Sequence, residues 1–152
     1  MLVYRMVKGS SRAYDITGSG AFRFGGRWNS PGTYMLYTSA NSSLALLENL
    51  VHFDVSELPP DLFIVKIEVD PGAPVYDFPL TQLPEDWRHP QNLSLRKIGD
   101  EMMRAKKFLG FKVPSAVNPE EFNLLLNPSY PNYRRLVKVV SVNPYTMDNR
   151  LG

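Results

Sequence analysis

Leu62-Phe-Ile-Val-Lys-Ile-Glu-Val69 predicts a β-strand by its β-branched and aromatic content, and the Pro71-Gly72 pair behind it predicts a turn. Further strands are expected at residues 2–7, 33–38, 111–113 and 134–142. Capping side chains followed by apolar spacing predict a helix over residues 44–53, and a second helix is expected over residues 93–108. Many strands with only two helices predict an α+β fold built on central β-sheets.

Two stretches between these elements are irregular. Residues 8–32 form a polar, glycine-rich connection, and residues 79–90 contain tryptophan and three prolines. A connection as long as the first is uncommon inside a compact domain and is typical of functional loops.

The composition narrows the class of protein. The chain has 152 residues, 43% hydrophobic and 21% charged, with a net charge of +2, as expected of one globular domain over residues 1–152. The absence of cysteine excludes disulfides, thiolate metal sites and a cysteine nucleophile. With only two histidines, we expect no metal centre.

Location and nucleic-acid binding follow from the charge and hydropathy patterns. No signal sequence and no apolar run of membrane-spanning length is present, which predicts a cytoplasmic protein without a membrane contact. Two small basic clusters, at residues 104–107 and 134–138, are expected to be solvated ends of elements. Because this charge is dispersed, direct nucleic-acid binding is not predicted.

Glu48 is the first candidate for chemistry. Its spacing from Leu44 and Val51 turns it onto the apolar face of the predicted helix. A carboxylate aimed at a core is costly unless it is paired or faces a cavity. Two interpretations remain open, a boundary glutamate and a catalytic or ribose-binding carboxylate at the floor of a cleft.

Gly25-Gly-Arg-Trp-Asn29 is the second candidate. The glycines permit a sharp bend or a close approach to a ligand, and Arg27 has the planar fork that binds phosphate through two hydrogen bonds. The alternative is a tight turn with a surface arginine.

Two further polar residues are candidates: Ser115, which follows a proline, and Asn127, which precedes one. Ser115 in Val113-Pro-Ser-Ala-Val117 lacks the glycines of a hydrolase elbow, so it either orients a substrate or belongs to a turn. Asn127, before Pro128, either holds a ligand carbonyl through its amide or initiates a turn.

Taken in order, several motifs resemble the RES-domain family, named for its arginine, glutamate and serine. They are Gly18-Ser-Gly-Ala-Phe-Arg-Phe-Gly-Gly-Arg-Trp-Asn-Ser-Pro-Gly32, Tyr37-Thr-Ser39, Ala45-Leu-Leu-Glu48, Val113-Pro-Ser115, Leu126-Asn-Pro128 and Asp148-Asn-Arg-Leu151. On this resemblance Arg27, Glu48 and Ser115 are the namesake residues, and Arg5 and Tyr37 also match active-site positions.

The resemblance implies a fold similar to diphtheria-toxin-like ADP-ribosyltransferases and NAD⁺ as substrate rather than cofactor. Members are toxins of bacterial toxin–antitoxin pairs that hydrolyse or phosphorolyse NAD⁺, with inorganic phosphate as co-substrate in the second case, and some transfer ADP-ribose to a protein. It also implies an Xre-type helix-turn-helix antitoxin, which we expect to cover the active site and through which oligomers would form.

The expected chemistry gives each residue a task. Arg27 and Arg5 are expected to bind the pyrophosphate, and Glu48 to stabilise positive charge on the ribose. Tyr37 is expected to stack on the nicotinamide and Ser115 to orient it.

One residue departs from the family pattern. Tyr130 stands where many members have a histidine after Asn127-Pro128; it can donate a hydrogen bond to the ligand but cannot act as a base near neutral pH. The sequence leaves open hydrolysis, phosphorolysis and protein modification, and a nucleic-acid-directed toxin or an inactive binding module are the contrasting classes.

Overall fold

The computed structural model describes residues 1–52, 61–90 and 92–151. Its strands are β1 Leu2–Lys8, β2 Leu36–Ser39, β3 Leu62–Val69, β4 Val75–Asp77, β5 Gly110–Pro114, β6 Phe122–Leu126 and β7 Val137–Tyr145. Its α-helices are α1 Ser10–Ala13, α2 Ser19–Phe24, α3 Ser42–Leu50, α4 Leu93–Ala105 and α5 Tyr133–Leu136. Two short 3₁₀ helices lie at Leu80–Gln82 and Asn149–Leu151.

One seven-stranded sheet, in the order β4-β5-β6-β2-β1-β3-β7, joins the whole fold. Each neighbouring pair is antiparallel except β4 with β5. The register between β3 and β7 shifts between Lys66 and Ile67, which is an irregularity in the outer ladder. The α+β prediction is therefore confirmed, with a single sheet at its centre.

The sheet is covered on both faces. β6 shows this directly, because Leu124 and Leu126 belong to one hydrophobic cluster while Leu125 belongs to another. α4 packs on the second face, where Leu95 and Met103 join Phe111 of β5. A strand that is buried on both faces has a continuous apolar run in its sequence and lacks the alternation of apolar and polar residues. Because Leu124, Leu125 and Leu126 form such a run, β6 was not predicted as a strand.

The two longer helices lie where the sequence places them, with different ends. α3 begins after Asn41, whose side chain accepts the Leu44 N–H at 2.8 Å, and it ends at Leu50. The predicted end of this helix, Phe53, lies outside the described residues. α4 ends at Ala105 because Lys106 takes a left-handed φ of 52°.

Other boundaries also differ from the predictions. The connection at residues 8–32 contains α1 and α2, and the strand predicted from residue 33 begins at Leu36. Thr33 instead ends a turn, in which its N–H donates to the Ser30 carbonyl at 3.2 Å, and its own carbonyl accepts a hydrogen bond from Asn29 at 3.1 Å. Residues 133–136, assigned in part to a strand by sequence, form α5. Within the described ranges no helix combines the length and apolar character needed to cross a membrane.

Candidate active site

A cavity of about 810 Å³ opens beside β1 and β2. Its walls come from β1, β2, α1, α2, α3, α4 and the glycine-rich loop after α2. The volume falls within the range of roughly 300–1,000 Å³ that small-molecule sites occupy. Four candidate residues from the sequence line it, namely Arg5, Arg27, Tyr37 and Glu48.

Glu48 is held by two side chains that are distant in sequence. The Ser115 hydroxyl donates to Glu48 Oε1 at 2.6 Å, and Asn123 Nδ2 donates to the same oxygen at 2.9 Å. Glu48 Oε2 makes no hydrogen bond within the described part of the chain. The carboxylate is thus fixed through one oxygen and keeps the other for a ligand at the cavity wall.

Ser115 itself lies behind this carboxylate. It is completely buried at the end of β5, and its Oγ accepts the N–H groups of Val117 at 3.1 Å and Asn118 at 3.0 Å. Because two backbone donors occupy the lone pairs, the hydroxyl proton is directed to Glu48. Ser115 is not among the cavity-lining residues and meets the site through Glu48, so its expected role in orienting nicotinamide stays a prediction.

Asn123 of β6 is a partner of Glu48 that no motif in the sequence indicates. Its Oδ1 accepts the Ser39 hydroxyl at 2.9 Å, which orients the amide so that Nδ2 faces Glu48. β2 and β6 pair so that Ser39 is opposite Asn123. This cross-strand relation depends on strand register, and nothing in the spacing of the sequence signals it.

The glycine-rich loop, residues 25–30, is fixed by one buried amide. Asn29 is fully buried, and its Nδ2 donates to the carbonyls of Ala21, Ser30 and Thr33 at 2.9, 3.1 and 3.1 Å. Its Oδ1 accepts the Tyr37 hydroxyl at 2.6 Å. In the sequence Asn29 stands out only as part of a motif, whereas in the structure its side chain closes this loop.

Tyr37 joins the loop to β2. Its hydroxyl accepts the Trp28 N–H at 3.0 Å while donating to Asn29, and its ring lines the cavity. A Cβ on Gly26 would lie 2.6 Å from this hydroxyl oxygen, so the second glycine of the pair is needed for the contact. Burial raises the pKa of Tyr37 well above 10, so the phenol remains a neutral donor.

Arg27 enters the cavity from this loop. Its Nη1 donates to the carbonyls of Trp87 at 3.2 Å and His89 at 3.1 Å. The irregular stretch predicted at residues 79–90 thus supplies the acceptors that orient this guanidinium. The planar fork, held on one side by backbone, is available on the other for an anion.

Arg5 approaches the cavity from β1. Its Nη1 donates to the Asp15 carbonyl at 2.6 Å, and burial lowers the pKa of Arg5, opposed by the nearby Asp15 charge. Two hydrogen bonds from Thr17 in turn lower the pKa of Asp15. Arg12 and Arg96 also line the cavity, so four arginines of the described chain surround it.

No motif in the sequence marks Arg12 or Arg96 as a site residue. Arg96 lies on α4, and its spacing in the sequence predicts an ordinary solvent-exposed position. The one available signal was Gly99 in the middle of the predicted helix, because an isolated helical glycine often marks a close packing contact.

Asn127 and Tyr130 are not among the cavity-lining residues. Asn127 is completely buried, with Nδ2 donating to the Met103 carbonyl at 3.0 Å and Oδ1 accepting the Ser129 N–H at 3.0 Å. Tyr130 packs against the core cluster on one face of the sheet. Asn127 follows the turn alternative, and a ligand role for either residue stays a prediction without a contact to support it.

The family model described as RES domain matches residues 2–148. "Toxin Res" of Yersinia enterocolitica is 34% identical over 99% of both chains, and "Toxin Res" of Photorhabdus laumondii is 32% identical over 99% of this chain and 97% of its own. "Prs ADP-ribosylating toxin" of a Sphingobium species is 32% identical over 91% of this chain and 88% of its own.

A solved structure shares the fold. A chain of the M. tuberculosis MbcT-MbcA toxin–antitoxin complex superimposes with a TM-score of 0.75 at 20% identity, covering 95% of this chain and 84% of that one. The sequence relatives and the family model extend over nearly the whole length of the chain. The resemblance inferred from the motifs is confirmed, and the chain belongs to the RES domain family.

Proposed function

We propose that this chain is the toxin of a bacterial toxin–antitoxin pair and that it depletes NAD⁺ by cleaving the bond between nicotinamide and ribose. The relatives named "Toxin Res" support the first part. A cavity that combines guanidinium groups with a fixed carboxylate supports the second.

The proposal rests on one observation, the two hydrogen bonds that hold a single carboxylate oxygen of Glu48. Breaking the nicotinamide–ribose bond leaves positive charge on the ribose, as in glycoside cleavage. A carboxylate with one oxygen held by Ser115 and Asn123 can turn its second oxygen to that charge or to a ribose hydroxyl without reorganising. The leaving nicotinamide becomes neutral as the bond breaks, so the reaction needs no strong general acid.

The arginines are suited to binding the pyrophosphate of the substrate. Arg27 and Arg5 line the same cavity as Glu48, and a pyrophosphate between them would fix the substrate with its ribose at the carboxylate. The electron pair of the broken bond leaves with nicotinamide. A water oxygen or a phosphate oxygen then bonds to the ribose carbon, giving ADP-ribose and a proton or ADP-ribose 1″-phosphate.

A protein acceptor is the alternative. The relative named "Prs ADP-ribosylating toxin" favours it, because the same bond is broken and only the acceptor changes. In that case a side chain of a host protein takes the place of water or phosphate.

The decisive experiment incubates the purified protein with NAD⁺, with and without phosphate, and separates the products by chromatography. Free ADP-ribose identifies hydrolysis, ADP-ribose 1″-phosphate identifies phosphorolysis, and labelled protein in a host lysate identifies the alternative. Intact NAD⁺ with phosphate, without phosphate and in the host lysate would reject the proposal.

The partner proposed is an Xre-type antitoxin that covers the cavity. A cytoplasmic enzyme that empties the NAD⁺ pool must be held inactive in its own host. An antitoxin carboxylate or chain terminus beside Arg27 would replace a substrate phosphate and block binding directly. The similar fold of a chain in a toxin–antitoxin complex supports such a partner.

Titration of antitoxin into the NAD⁺ assay tests this point. We expect competitive inhibition, with the apparent KM for NAD⁺ rising as antitoxin is added. A tight complex that turns over NAD⁺ at the rate of the free protein would contradict it.

A further inference from the structure

Arg96 reaches the cavity from α4, the helix on the far side of the glycine-rich loop. Its Nε donates to the Gly26 carbonyl at 3.0 Å, directly before Arg27 in the chain. The side chain is half-buried and lines the same cavity as Arg27 and Glu48. A guanidinium from a separate element therefore stands beside the arginine that the family pattern supplies.

Three contacts fix α4 against this loop. Besides the Arg96 bond, Asp100 Oδ1 accepts the Ser30 N–H at 2.9 Å. Between them a Cβ on Gly99 would lie 1.7 Å from the Trp28 carbonyl oxygen, so the helix approaches the loop backbone as closely as only glycine permits. Asn92 caps the start of α4 by accepting the Ser94 and Leu95 N–H groups.

The terminal nitrogens of Arg96 are available. Within the described residues, Nη1 and Nη2 make no hydrogen bond and no carboxylate forms an ion pair with the side chain. A guanidinium that is partly removed from water and oriented only through Nε still presents four N–H donors. Such a group gains most from an anion with several acceptor oxygens.

The other cavity arginines differ from this arrangement. Arg12 is exposed, and Arg5 has the Asp15 charge beside it. Arg96 instead shares its surroundings with Arg27, since both cations oppose the effect of burial on the pKa of Tyr37. Two guanidinium groups near one phenol, each tethered to backbone carbonyls, form a doubly cationic wall.

We propose that Arg96 is a further pyrophosphate-binding residue, which binds the same diphosphate group as Arg27. The assignment rests on the proposed function, since it takes NAD⁺ as the ligand. It makes α4 part of the substrate site, with Asp100 and Gly99 as positioning residues for the loop. Nucleoside diphosphate compounds such as ADP-ribose are the ligand class that this pair of arginines recognises.

The test compares R96Q and R96K with a matched control, R104Q, which changes an exposed arginine on the same helix outside the cavity. Calorimetry measures the affinity for ADP-ribose and for nicotinamide, and kinetics measure KM and kcat for NAD⁺. We expect R96Q to weaken ADP-ribose binding and raise KM by about tenfold to a hundredfold, with nicotinamide binding and kcat little changed.

R96K separates charge from geometry. It keeps one positive charge but loses the bond from Nε to Gly26 and the planar fork, so we expect an intermediate loss of ADP-ribose affinity. R104Q is expected to match the wild type in every measurement. Thermal unfolding of each variant identifies a general loss of structure, which would lower nicotinamide and ADP-ribose binding together.

Two outcomes overturn the assignment. One is a folded R96Q that binds ADP-ribose and NAD⁺ as the wild type does, and the other is equal loss of nicotinamide and ADP-ribose binding in R96Q and R96K. If the wild type binds ADP-ribose through Arg96 but leaves NAD⁺ intact, the Arg96 assignment stands and the proposed reaction fails.

Discussion

The two sides of the cavity are built in opposite ways. The carboxylate side consists of Glu48 on α3, Asn123 in β6 and Ser115 at the end of β5. The glycine-rich loop, residues 25–30, lies between α2 and β2, and its backbone is bonded by the side chains of Tyr37, Asp100 and Arg96. On the first side the charge stands on α3 and is held by side chains from β6 and from the residue after β5, whereas the shape of the second side depends on side chains bonded to the loop backbone.

The comparison predicts that Glu48 can be changed without loss of stability, whereas changes to the residues that hold the glycine-rich loop lower the free energy of unfolding. Four substitutions and one pH measurement test this difference, with the substitutions in order from the largest expected effect.

Glu48→Gln is expected to reduce kcat for NAD⁺ by about 10²–10³-fold with little change in melting temperature. The amide oxygen takes the place of Oε1 and still accepts from Ser115 and Asn123, so the contacts that hold α3 remain. Glu101→Gln on the exposed face of α4 is the control. An unfolded Glu48→Gln, or a folded one with wild-type turnover, would remove Glu48 from the chemical step.

Arg27→Lys is expected to reduce kcat/KM by about tenfold to a hundredfold, chiefly through KM. A lysine ammonium is a point donor and cannot both satisfy the Trp87 and His89 carbonyls and bind a phosphate through two parallel bonds. Steady-state kinetics measure the change, with Arg23→Lys on exposed α2 as the control. Unchanged KM would show that Arg27 does not bind the substrate.

Gly99→Ala is expected to lower the free energy of unfolding by about 1–3 kcal/mol, because the added methyl group would overlap the Trp28 carbonyl oxygen. Urea denaturation measures it. Gly20→Ala is the matched control, since its nearest neighbour is the flexible end of Arg12 at 3.4 Å. Equal stability of the two variants would mean that α4 is not held close to the loop.

Tyr37→Phe is expected to cost about 1–2 kcal/mol of unfolding free energy by removing the hydroxyl from Trp28 and Asn29. Tyr34→Phe is the control, as the Tyr34 hydroxyl makes no hydrogen bond within the described residues.

The pH dependence of stability checks the same hydroxyl. Burial raises the pKa of Tyr37, so above pH 10 the unfolded chain loses this proton first. Stability from this group is therefore complete below pH 10 and declines as the pH rises further. Tyr37→Phe should show a shallower decline between pH 10 and 11 than the wild type, and an identical slope would contradict the assignment.

Sequence periodicity predicted much of the fold because it reports one-dimensional spacing. The apolar strip beside Glu48 placed this carboxylate on the inner face of a helix, and the structure brings Ser115 to it. Asn123 escaped notice because its meeting with Ser39 depends on the register between β2 and β6. Local spacing carries no information about such cross-strand partners.

The residues of the glycine-rich loop could be recognised in the sequence, but the contacts that hold the loop could not be predicted from it. Gly25, Gly26 and Arg27 stand out as a turn that can approach an anion. That Asn29 closes the turn, and that Arg96 meets it from a helix 70 residues later, follows only from tertiary packing. Asn127 shows the reverse case, since the motif marks this side chain for a ligand while the structure bonds both ends of its amide inside the core, and its ligand role stays a prediction.

The two edges of the sheet bear on how the molecule behaves at high concentration. β4, at one edge, has three residues, and β7, at the other, contains Pro144, an exposed Lys138 and a register shift against β3 between Val139 and Ser141. A short strand, a missing N–H donor and a charged irregular edge all oppose pairing with a strand of another copy. We therefore expect the protein to resist aggregation by sheet extension.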